Sequence, residues 1–153
     1  MIFDRKKRDI DSAINIINSK VKNFISLSEE DLETLEKGTI NINTLNRIEN
    51  KQAELKSLLD SHSYFVGEII TKQWGYNDIF SIDDFDRIIS NIFTLKKSFF
   101  VYSNSPKDFF TTYDYENLNN LEKILFDLES MIEYMVLNYR ECGTFESEGD
   151  VNG

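Results

Sequence analysis

A single cysteine, Cys142, rules out an intrachain disulfide and a structural thiolate zinc site. The single histidine, His62, cannot build a metal centre without acids spaced to help it, and none is so spaced. A nucleophilic Cys142–His62 pair is disfavoured as well, because only Arg140 stands near Cys142 to stabilise a thiolate. No Gly-rich phosphate loop and no dinucleotide fingerprint occur. No run of 18 apolar residues occurs, so no membrane span is expected. Charge between Asp4 and Asp9, with no apolar segment after it, argues against a secretion signal, and folding in a reducing cytoplasm is expected. One proline and six glycines leave long stretches uninterrupted, which favours helices.

Positive charge is also scarce. Lys and Arg number 17 against 27 Asp and Glu, for a net charge of −10. A phosphate-binding surface needs clustered cations, and the one cluster, Arg5-Lys6-Lys7-Arg8, reads as the solvated start of a helix. Nucleic acid and membrane are therefore not expected partners. No cofactor, metal or catalytic residue is assigned, and the chain is not expected to be an enzyme. Asp83, Asp84 and Asp86 lack the Gly and terminal Glu of a calcium loop, and suit a helix N-terminus instead.

What is abundant is apolar residues at helical spacing. Ile10, Ile14, Ile17, Val21 and Phe24 alternate four and three over a helix expected from Asp4 to Leu27. Ser28 and Asp31 form a predicted capping box for a short helix that ends at Gly38. Asn43 is the expected cap of a helix to Asp60, and Tyr64–Trp74 is predicted as a short helix closed by Gly75. Asp83 is the expected cap of a helix carrying Phe85, Ile88, Ile92, Leu95 and Phe99. The last helix, Tyr115 to Glu141, places Leu118, Leu121, Leu125, Leu128, Ile132, Met135 and Tyr139 on one seam, about 40 Å long. The fold class is therefore all-α: a helical bundle with long heptad-patterned helices at both ends. Its expected parts are an N-terminal helix (1–27), either a coiled-coil or docking helix or an amphipathic helix packed on its own domain, then the bundle (28–142) and an acidic tail (143–153).

Two stretches match 40 residues apart, which suggests an internal pseudo-repeat. Ile42, Asn43, Leu45, Asn46, Arg47, Ile48 and Leu55 correspond to Ile82, Asp83, Phe85, Asp86, Arg87, Ile88 and Leu95. A weaker third copy, offset by 73, matches Leu45, Asn46, Ile48 and Glu49 to Leu118, Asn119, Leu121 and Glu122. The shared pattern is an apolar anchor, a cap, and an Arg one turn on. Arg87 is placed for an i, i+4 pair with Asp83; alternatively, Arg47 and Arg87 dock a partner's carboxylates. Trp74 reads as closing the core rather than anchoring an interface. Three rings on one loop, Phe109, Phe110 and Tyr113, are the better interface candidates, joined by Ile10, Ile14, Ile17, Val21 and Phe24 and by Ile132, Met135 and Tyr139 on the last helix.

Leu45-Asn46-Arg47-Ile48-Glu49, Trp74, Asp86-Arg87-Ile88 with Asn91, Ser105-Pro106, Asn119 with Leu121-Glu122-Lys123-Ile124-Leu125, and Cys142-Gly143-Thr144-Phe145 with Glu148-Gly149 form a combination. In it, residues 39 to 150 resemble small helical proteins and modules of the tail and baseplate region of phages infecting Gram-positive bacteria. This chain departs from them in its longer N-terminal helix and abrupt acidic end. The resemblance implies a virion structural protein made in the host cytoplasm, acting in assembly or host attachment. Its implied partners are other phage structural proteins, and a homo-oligomer is expected. Two other classes fit the sequence: an acidic inhibitor mimicking DNA on a basic host protein, and a tail assembly chaperone absent from the finished particle.

Overall fold

The computed structural model describes residues 1–99, 104–106 and 114–142, with backbone only at 140–142. It is all-helical. The elements are α1 (Lys7–Ile16), a π-helical turn (Ile17–Val21), α2 (Glu29–Gly38), α3 (Ile42–Ser61), α4 (Ile82–Ser98) and α5 (Tyr115–Cys142). The expected rings Phe109, Phe110 and Tyr113 and the acidic tail lie outside the described residues.

Helices α2 to α5 each start where a side chain satisfies one of the first free N–H groups. Ser28 and Asp31 form the predicted box on α2, with Asp31 N–H donating to Ser28 Oγ at 3.2 Å and Ser28 N–H to Asp31 at 2.9 Å. On α3 and α4 the caps stand two residues earlier than expected. Asn41, not Asn43, accepts from Thr44 N–H at 3.0 Å. Ser81, not Asp83, accepts from Asp84 N–H at 3.3 Å, and Asp84 reaches back to Ser81. Ile42 and Ile82 were expected to precede the caps as extended anchors; they are instead the first helical residues. Asp114 caps α5 by accepting from Asn117 N–H at 2.9 Å.

α3, α4 and α5 pack around one core. Leu45, Ile48, Leu55 and Leu59 meet Ile88, Ile92 and Leu95, and Leu118, Leu121, Ile124, Leu125, Leu128 and Ile132 close the third side. Each such side chain contributes about 1.5–3 kcal/mol on burial. The predicted α5 seam is thus an internal seam for most of its length.

The N-terminal third differs. The α-helix ends at Ile16, and the π turn shifts the phase of the Ile10–Phe24 seam. Asn23 Nδ2 then donates to the carbonyls of Asn18 and Ser19, and Phe24 turns the chain at φ 56°. The long N-terminal helix expected to Leu27 is therefore a short one folded into an α1–α2 hairpin. The two helices approach closely where Ala13 meets Gly38. No residue of this hairpin joins the main hydrophobic core among the described residues.

Residues 64–75 are not helical, which corrects the helix predicted at Tyr64–Trp74. Their apolar residues share no helical face: Val66 and Trp74 are buried while Phe65 is 90% and Ile70 56% exposed. Among the described residues, the segment makes no backbone–backbone hydrogen bond between residues 65 and 74 and is held by side chains instead.

Candidate functional site

The clamp on this segment is built from polar residues within the apolar stripes of α3 and α4. Asn46 Oδ1 accepts from Trp74 N–H at 2.8 Å, and its Nδ2 donates to Trp74 C=O at 3.1 Å. Asn91 does the same to Ile70, accepting its N–H at 3.3 Å and donating to its C=O at 2.9 Å. Between them Glu49 accepts the N–H of Lys72 at 2.5 Å. One amide can bond both groups of a single residue only when that residue's N–H and C=O point the same way, as in a strand. Contacts at residues 70, 72 and 74 have a strand's period of two. Gln52 supports Asn91 by accepting its amide at 2.9 Å while donating to Ile88 C=O at 2.8 Å.

Glu49 is fully buried yet completely satisfied. Arg87 donates to both of its oxygens at 2.7 Å, and Trp74 Nε1 adds a bond at 2.7 Å. This bidentate contact raises the pKa of Arg87 further above its ordinary value. Arg87 also donates to Ile70 C=O at 2.8 Å. The arginine expected to pair with Asp83 thus bridges two helices and the extended segment, with Asp84 as its own-helix partner at 3.4 Å.

A second clamp, on α5, holds the first residues of the chain. Asn119 accepts Arg5 N–H at 3.1 Å and donates to Arg5 C=O at 2.9 Å. Glu122, also fully buried, accepts Ile2 N–H at 2.6 Å, Arg5 Nη2 at 2.7 Å and Arg47 Nη2 at 3.0 Å. Arg47 therefore reaches α5 as Arg87 reaches α3, and adds Glu36 of α2 at 3.3 Å. Asn46 and Glu49 stand three residues apart on α3, as Asn119 and Glu122 do on α5, and each Asn–Glu pair holds one non-helical segment and at least one arginine. Arg5 is 3% exposed and caps α2 through the Lys37 carbonyl at 3.1 Å, which corrects its reading as the solvated start of a helix.

The carboxylates that Arg47 and Arg87 would seek on a partner are supplied internally, so their docking role is not favoured. Trp74 is 4% exposed, edge-on to Phe80 at 5.6 Å with the Lys72 ammonium 4.0 Å from its ring centre, as the core reading expects. Of the expected interface residues, Ile132 lies in the core at 1% exposure, a correction that follows from its place opposite α3 and α4. Met135 packs against the same core, and Tyr139 is exposed. Ile10 and Ile17 are half-buried, whereas Ile14, Val21 and Phe24 are exposed. Asn43 and Asp83 are exposed on the first turns of α3 and α4.

Sequence reasoning missed Asn46, Glu49, Gln52, Asn91, Asn119 and Glu122 as a working set. The signal was present in the 73-residue offset, which aligns Asn46 with Asn119 and Glu49 with Glu122.

Among the described residues no three His, Cys, Asp or Glu gather to hold a metal ion. His62 ends α3, its Nδ1 2.9 Å from the Leu58 carbonyl. A cleft of about 320 Å³ between the hairpin and α5 is lined by Arg5, Ile10, Ile40, Tyr115 and Leu118, and Arg5 is already fully engaged. Comparison of the chain with known protein families, characterised proteins and solved structures gave no match.

Proposed function

We propose that this chain is a non-catalytic docking module that acts through protein–protein contacts. Its setting, on the resemblance of residues 39–150, is the tail or baseplate region of a phage, in assembly or host attachment. The observation that supports a docking role is the α1–α2 hairpin. It is fixed to the bundle by polar ties, Arg5 to Glu122 and Arg47 to Glu36, and turns large apolar side chains outward. Ile14, Val21, Phe24, Ile25 and Leu32 are each more than 40% exposed, and Phe24 is 98% exposed. Exposed apolar side chains gathered on one hairpin suit an interaction surface, here for another structural protein of the same particle.

Mass spectrometry of purified virions tests the setting. The chain should be found at a stoichiometric level; its absence from complete particles would remove the virion role and point to an assembly chaperone. A DNA-mimic inhibitor is the less favoured reading. Glu49, Glu122, Asp31 and Asp84 are spent on internal ion pairs and caps rather than arrayed in an outward stripe.

A further inference from the structure

We propose that the outer edge of the extended segment Val66–Trp74 is a homodimerisation surface, which pairs antiparallel with the same edge of a second copy of this chain. The inner edge is spent. Residues 70, 72 and 74 turn their backbone groups to Asn91, Glu49 and Asn46. In an extended chain the intervening residues turn theirs the opposite way. Among the described residues no hydrogen bond reaches the backbone of Gly67, Ile69, Thr71 or Gln73. Thr71 and Gln73 are exposed, as are Glu68 and Ile70 on the alternate face. The helices thus hold a strand ready-made with one edge open, and a row of free N–H and C=O groups is a template for another strand.

The side chains select the occupant. At alternate positions in its middle the segment carries Glu68 and Ile70, both exposed, and Lys72, half-buried with Asp78 at 3.4 Å. Antiparallel pairing centred on Ile70 sets Ile70 against Ile70 and Glu68 of each copy against Lys72 of the other. In this register residues 69 and 71 exchange backbone bonds across the edge. Directly opposed opposite charges favour such a pair, and opposed like charges disfavour it. Centring on Lys72 instead, or stacking copies parallel and in register, sets Lys72 against Lys72. The charges therefore favour this register over those centred on Glu68 or Lys72, and resist parallel in-register stacking. The symmetry is that of a closed two-fold dimer.

The test is sedimentation equilibrium of the full chain at 0.15 M salt, where a Debye length of about 8 Å screens the net charge. Wild type should show a monomer–dimer equilibrium. E68K and K72E should each raise the dimer dissociation constant at least about tenfold, because each opposes like charges twice. Mixing the two variants should restore association as a heterodimer, since every 68–72 pair is again opposite in sign. Circular dichroism checks that each variant is folded, and Glu68 is an exposed residue. Amide exchange should show concentration-dependent protection at Ile69 and Thr71, while Ile70 and Lys72 stay protected at every concentration. A chain that remains monomeric to millimolar concentration overturns the proposal. So does a dimer indifferent to both variants, or an edge that accepts a strand of another protein but not its own. The dimer is independent of any virion role: absence from particles would leave this test unchanged.

Discussion

Asn46 closes a two-bond ring with the backbone of Trp74, 28 residues away, and so does the work of a neighbouring β-strand from a helix. The Asn91–Ile70 and Asn119–Arg5 pairs repeat the arrangement. Replacing Asn46 with Ala removes both bonds and leaves two backbone groups without partners. A loss of about 1–3 kcal/mol is expected. It should appear in the denaturant midpoint, with faster amide exchange at Trp74 and unchanged exchange at Arg5. Equal loosening at both sites would show that the clamps are not separate.

Glu49 carries more. Replacing it with Leu leaves the Arg87 guanidinium, the Trp74 indole N–H and the Lys72 N–H without their acceptor. Removing one partner of a buried pair costs about 3–5 kcal/mol. Trp74 is the only tryptophan, so its emission reports the loss directly, as a red shift on exposure. Glu54→Leu on the same helix, where Glu54 is exposed, should change stability by no more than about 0.5 kcal/mol. A Glu49→Leu variant as stable as Glu54→Leu would mean that the carboxylate is not what holds the segment.

These two residues mark the limit of what was legible. The apolar stripes of α3, α4 and α5 follow from spacing alone, because burial imposes the 3.6-residue period on each of them. The capping box at Ser28 and Asp31 is local chemistry and was equally visible. Segment 64–75 was not. Its conformation is decided by Asn46, Glu49 and Asn91, which lie 21 to 28 residues distant, and its chance i, i+4 apolar spacing at Phe65–Ile69 and Val66–Ile70 imitates a helix. Arg5 was hidden for a similar reason: only the Glu122 carboxylate, 117 residues on, makes its burial tolerable.

Gly38 reverses the usual sign of a glycine replacement in a helix. Alanine is ordinarily better there by about 1 kcal/mol. Here a Cβ would stand 2.3 Å from the Asp9 carbonyl oxygen and 2.5 Å from the Ala13 Cβ. Backbone cannot swing aside, so α1 must lift off α2. Gly38→Ala is expected to destabilise by about 1–3 kcal/mol, measured by thermal or denaturant unfolding. A variant more stable than wild type would contradict the close approach of the two helices.

Asp31 gives the hairpin an acid-sensitive tie. The Lys20 ammonium 2.6 Å away, followed by the Ser28 N–H, holds its pKa down to about 2 from an ordinary 3.8. A folded-state pKa below the unfolded one favours the fold while the group is ionised. That contribution is complete above about pH 4 and disappears as the pH falls through about 2. Asp31→Asn should therefore melt earlier than wild type at pH 6, and the two should converge as the pH is lowered to 2. Melting temperatures that stay equally far apart from pH 6 to pH 2 would count against the tie.

Phe24 is the residue where stability and docking should trade. It is 98% exposed and sits at φ 56°, a left-handed conformation that disfavours a bulky side chain. Nothing in the fold is gained by a phenyl ring there. Asn tolerates this backbone and keeps the turn, so Phe24→Asn should raise stability by about 1 kcal/mol. If the hairpin face is the docking surface, the same change removes its most exposed ring and should weaken incorporation into particles when the variant competes with wild type. Higher melting temperature with reduced incorporation is the expected pair of results. A more stable variant incorporated as well as wild type would clear the hairpin tip of any docking role and move the search to the other exposed apolar residues, Phe65, Tyr76 and Ile79.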